Sequence, residues 1–67
     1  MTNKKELEVA IVRAGLTKRE VAGKLGLSAM GLYKKINGIT EFKASEIASL
    51  VSLLSIEDKD MIFFGSM

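Results

Sequence analysis

Residues 17–38, TKREVAGKLGLSAMGLYKKING, are the strongest constraint on what this chain can fold into. They read as two short helices meeting at a glycine turn. Thr17 followed three residues later by Glu20 is a capping box that starts the first helix, and Val21, Ala22 and Leu25 form its inner face. Ala22 is small where that helix must approach the second closely. Gly26 supplies the left-handed conformation in which the chain reverses, and Leu32 plugs the core from the second helix. Ser28 caps that helix, which runs to about Asn37 and is closed by Gly38. A helix-turn-helix unit asks for a small or apolar residue at each of these positions.

The flanks extend the helical pattern. A helix is expected after Asn3, whose side chain can cap the backbone while Glu6 reaches back. Leu7, Ala10, Ile11 and Ala14 then make one buried stripe, and Gly15 ends the helix. After an extended link at 39–42, a fourth helix is predicted over about 44–54, with Ile47, Leu50, Val51 and Leu54 on one face. Ser55 followed by Asp58 offers a cap for a short fifth helix, roughly 56–63, carrying Met61, Ile62, Phe63 and Phe64. So short an apolar run is equally compatible with a strand, since periodicity alone does not separate the two. There is no repeat, proline or low-complexity tract to mark a boundary. The expectation is one all-α domain over 1–67, a compact bundle of about five short helices. A chain of 67 residues buries only about 60% of its unfolded surface, so a small core must suffice or a partner must help.

Composition removes several functions. With no cysteine and no histidine there is no disulfide framework, no zinc site of the usual ligands and no histidine general base. The acidic group Glu57, Asp58 and Asp60 falls at a helix start, where the helix dipole accounts for negative charge. No enzyme, cofactor, metal site or small-molecule substrate is therefore expected. The apolar fraction is 48%, yet no apolar run approaches the roughly 18 residues of a membrane span. The first residues are too polar for a signal peptide. A soluble intracellular protein follows.

The net charge of +2 conceals a division. Residues 1–40 hold eight basic side chains against three acidic, a net +5, whereas 41–67 hold two against five, a net −3. A chain polarised in this way turns its N-terminal half toward a polyanion; charges merely scattered over solvated helices are the plainer alternative. On the second helix of the pair, at about 100° per residue, Met30, Tyr33, Lys34 and Asn37 share one face. Leu32, Ile36 and Ala29 share the opposite one, and Lys35 lies on the flank, its stem over apolar surface and its ammonium reaching water or a phosphate. The first face has the mixed chemistry of a reader of base edges. Lys34 can donate to guanine, Tyr33 to phosphate or along sugars and thymine methyls, and Met30, with Ala29 at the helix start, can touch a thymine methyl. Against this, Met30 suits a core or dimer contact, and Tyr33 suits packing on the domain. No arginine, glutamine or second asparagine offers the sharpest bidentate pairing, so DNA shape contributes to sequence choice. Phosphate contacts are expected from Thr17, Lys18 and Arg19 at the start of the first helix of the pair, from Ser28 and Lys35, and from Asn37, Thr40 and Lys43 beyond the reading helix. Lys4, Lys5 and Lys24 read as solvated.

On Thr17, Val21, Ala22, Leu25, Gly26, Leu27, Ser28, Leu32, Asn37 and Gly38, the chain resembles the DNA-binding domain of the phage Cro/CI repressor family over roughly 7–54. The run Tyr33-Lys34-Lys35-Ile36-Asn37-Gly38, then Phe42, Ser45-Glu46-Ile47 and Ile62-Phe63-Phe64, is similar to small phage-encoded repressor-like proteins of Gram-positive hosts. The resemblance implies a lambda-repressor-like fold and a transcriptional regulator, a repressor, in the cytoplasm and at the nucleoid of a bacterial host. It assigns phosphate contact to Lys18 and Asn37 and base contact to Ala29, Met30 and Lys34. The wider family has an aliphatic residue at the position of Lys35, and Ile36 is the apolar residue here; this leaves the roll of the reading helix open by about a third of a turn. The implied operator is two-fold symmetric double-stranded DNA bound by a homodimer. Met61, Phe63 and Phe64 are the expected dimer contact, with closure of the monomer core by Phe63 and Phe64 as the alternative. A protein-binding module of antitoxin or antirepressor type, working through the apolar C-terminal segment, is the competing function.

Overall fold

The computed structural model describes residues 2–64; Met1 and residues 65–67, the ends of the expected 1–67 domain, lie outside it. Five helices follow in order: α1 Lys4–Arg13, α2 Lys18–Leu25, α3 Ala29–Ile36, α4 Ala44–Leu54 and α5 Lys59–Phe63. They form a compact all-α bundle, and α2 packs on α3 across the turn at Gly26 in the manner a helix-turn-helix requires.

The caps are where the side chains that compete for backbone hydrogen bonds fall. Asn3 accepts from the Glu6 amide at 3.2 Å. Thr17 and Glu20 form the reciprocal box, with Thr17 Oγ1 accepting from the Glu20 amide at 3.1 Å and Glu20 Oε1 from the Thr17 amide at 2.8 Å. Ser28 Oγ accepts from the Gly31 amide at 2.9 Å. Gly26 sits at φ 71°, ψ 27° and lets the Leu27 amide return to the Ala22 carbonyl at 2.8 Å, so the chain leaves α2 already turned toward α3.

One apolar core draws on every helix: Leu7 and Ile11, Val21 and Ala22, Leu32 and Ile36, Leu50 and Leu54, Ile62 and Phe63, with Phe42 from the α3–α4 link. Five expected members lie outside the buried cluster. Ala14 is exposed because it is already the C-cap of α1, and Ala10, Leu25, Ile47 and Val51 are half-buried at the edge of the cluster. The link at 39–42 is more than a connector, since the buried Phe42 meets Phe63 edge-on with ring centroids 5.5 Å apart.

The C-terminal segment departs most from expectation. Segment 59–63 is helical, and its cap is Asp58, whose carboxylate accepts from the Met61 amide at 3.1 Å. Ser55 does not start it. Ser55 terminates α4 in the left-handed region, at φ 53°. The start expected at about residue 56 therefore moves to Lys59.

Candidate nucleic-acid interface

Helix α3 has a core-facing side and an open side. Leu32 and Ile36 are each 2% exposed, whereas Met30 is 61% and Tyr33 55% exposed, and Lys34 is exposed beside them. Ala29, grouped by its helical angle with the inner residues, is exposed in the first turn, before the helix has entered the bundle. The structure thus brings Ala29, Met30, Tyr33 and Lys34 onto one open surface.

The roll about Lys35 is decided by tertiary partners. Its ammonium turns inward, 3.0 Å from Glu46 Oε1 and 2.9 Å from the Glu41 carbonyl oxygen, and 5.9 Å from the Phe42 ring centroid. With both side chains nearly buried, Lys35 is a strut between α3 and α4, and its ammonium is already engaged where a phosphate contact was expected of it. An ammonium drawn onto a carboxylate, a carbonyl and an aromatic face gains little by leaving for an exposed phosphate. Glu46 is pulled upward in pKa by its burial, but the Lys43 amide, the Lys35 hydrogen bond and both lysine charges outweigh this, and its carboxyl lies below the usual 4.5. Glu46 was not among the residues expected to be buried. The signal for it was the Lys35 to Glu46 pairing of opposite charges on two helices, which sequence spacing across a link does not reveal.

At the start of α2, Thr17, Lys18 and Arg19 are all exposed. The amides of Lys18 and Arg19 lie in the first turn, where a helix has no carbonyl of its own to offer them. The Thr17 amide differs, being held by Glu20. Lys18 forms an ion pair with Glu8 of α1, and that hydrogen bond holds the Glu8 carboxyl below its ordinary value. Ser28 is exposed, its oxygen accepting from α3.

Beyond α3, Asn37 donates through Nδ2 to the Tyr33 carbonyl at 2.8 Å and accepts on Oδ1 from Lys4 Nζ at 2.9 Å. Lys4, read from sequence as merely solvated, is therefore placed by α1 at the far end of α3. Thr40 and Lys43 are exposed on the same loop and at the start of α4, the Lys43 amide being bound by Glu46 Oε1 at 2.8 Å.

The expected dimer contact divides. Phe63 is 3% exposed and packs on Phe42, so it closes the monomer core and is not a surface residue. Met61 is half-buried and Phe64 is 58% exposed.

No protein-family model, curated protein or solved structure matches the chain. Among the described residues no three acidic, histidine or cysteine side chains gather as a metal ion would need, and no helix is long and apolar enough to cross a membrane.

Proposed function

We propose that the chain is a sequence-specific double-stranded-DNA-binding protein, a lambda-repressor-like transcriptional regulator of the phage type, that lays α3 in the major groove and represses as a homodimer. The observation that carries this reading is the open face of α3. Ala29, Met30, Tyr33 and Lys34 stand clear of the core on the second helix of a tightly turned pair, and the start of α2 adds exposed cations and first-turn amides. A groove-bound helix needs a donor for base edges and apolar contact for thymine methyls; Lys34 supplies the first, and Met30 and Ala29 the second. The α2 N-terminus supplies phosphate contacts that set the register.

A working apolar C-terminal surface, as an antitoxin or antirepressor would need, is less well supported, because Ile62 and Phe63 are spent on the core. The test is binding to a random-sequence duplex against salt. With about three to five phosphates neutralised per subunit, log affinity is expected to fall against log salt with a slope of about −3 to −4 per subunit; a salt-independent affinity sinks the proposal. Lys34→Ala is expected to relax base preference by roughly 1–3 kcal/mol at one position, while Lys18→Ala weakens all sequences alike. Selection from a random duplex pool reads both effects, together with the half-site spacing and symmetry of the operator.

A further inference from the structure

The C-terminal end of α3 poses an electrostatic problem for a helix lying along a DNA backbone. A phosphate there meets the negative end of the helix dipole. The backbone offers it little, because the amides of Gly38, Ile39 and Thr40 all turn back onto carbonyls of α3, to Lys35 at 3.2 Å and to Lys34 at 2.9 and 3.3 Å. Lys35, in the last turn, is occupied by Glu46 and the Glu41 carbonyl. Yet a cation is present. Lys4, the first residue of α1, places its ammonium on Asn37 Oδ1, and Asn37 is itself held by its bond to the Tyr33 carbonyl.

The position of Lys4 is set from behind. The Asn3 amide donates to the Ile62 carbonyl at 2.6 Å, which ties the start of α1 to α5, and the Asn3 side chain caps the helix that begins at Lys4. Lys4 is exposed, so its ammonium keeps two donors beyond the one given to Asn37.

On the DNA-binding reading of α3, we infer that Lys4 and Asn37 together form a backbone-phosphate site at the C-terminal end of the reading helix, with Lys4 as the cation and Asn37 as the group that positions it. The site takes the place of the contact that Lys35 is too deeply engaged to make. It joins α1 to the DNA interface, which spacing along residues 17–38 does not suggest.

The test compares Lys4→Ala with Lys24→Ala, which removes the same charge from an exposed position in the last turn of α2. Affinity for a random-sequence duplex is measured from about 50 to 200 mM salt, the range over which released counterions dominate. Lys4→Ala is expected to flatten the log–log slope by about 0.9, one phosphate contact, and Lys4→Arg to restore it, while Lys24→Ala leaves the slope of the parent. A Lys4→Ala slope equal to that of the parent, or equal changes in Lys4→Ala and Lys24→Ala, overturns the site while leaving the DNA reading intact. A parent protein whose affinity ignores salt overturns both. Because Lys4 is exposed, thermal melting of the variant checks that the fold is unchanged.

Discussion

Lys35 and Glu46 show how one side chain pair changes the meaning of a helix face. The Lys35 ammonium and Glu46 carboxylate lie 3.0 Å apart with side chains 12% and 11% exposed, a near-buried pair whose partners are held by further hydrogen bonds. Such pairs are costly to break on one side and nearly neutral to replace on both. Glu46→Gln, leaving an uncompensated ammonium, is expected to lower unfolding stability by about 1–3 kcal/mol, whereas Lys35→Met with Glu46→Leu comes close to the parent; urea unfolding measures both. The pH dependence has a definite sign. Since the folded-state pKa of Glu46 lies below its ordinary 4.5, its contribution is complete above about pH 4.5 and is lost as pH falls through the lower folded value. Melting temperature recorded downward from pH 5 should fall more steeply in the parent than in Glu46→Gln.

At the scale of elements, the helix starts were legible because short polar side chains announce them. Asn3, Thr17 and Ser28 cap α1, α2 and α3 where a capping residue was expected. The fifth helix was less legible because Ser55 and Asp58 both qualify as caps by residue type. Which one serves is decided by where α4 ends, and the packing of Leu54 carries α4 far enough that Ser55 becomes its left-handed terminus. The turn at Gly26 gives a prediction at this scale. A Cβ built there meets nothing within 4 Å, so the cost of Gly26→Ala comes from its φ of 71° and not from crowding. About 1–2 kcal/mol is expected for an L-residue in that region, seen as a lower urea midpoint with an unchanged slope.

For the whole molecule, the decisive fact is that the C-terminal aromatics part company. Phe63, at 3% exposure, seals the bundle against Phe42, while Phe64, at 58%, faces out. A domain this small holds only about 3–5 kcal/mol from its core, and a buried Phe→Ala change costs about as much. Phe63→Ala is therefore expected to be largely unfolded at 25 °C by circular dichroism. Phe64→Asp should keep the parent's spectrum and, if the homodimer proposed above pairs through this face, sediment as a folded monomer where the parent is a dimer. An unfolded Phe64→Asp would place that ring in the core instead.

Much of the candidate interface could be read along the chain because helical angle alone separates Leu32 and Ile36 from Met30, Tyr33 and Lys34. Local chemistry likewise determined the turn at Gly26 and the caps of the first three helices, since a glycine at positive φ or an Asn, Thr or Ser beside free amides acts within a few residues of itself. What only the tertiary structure decided are the partnerships across helices: Lys35 on Glu46, Phe42 on Phe63, the Asn3 amide on Ile62, and Lys4 on Asn37. The last joins residues 33 positions apart. Charge type and helical angle specify what a lysine can do, but which anion or carbonyl it meets depends on how whole helices pack, and that is set by the shared core.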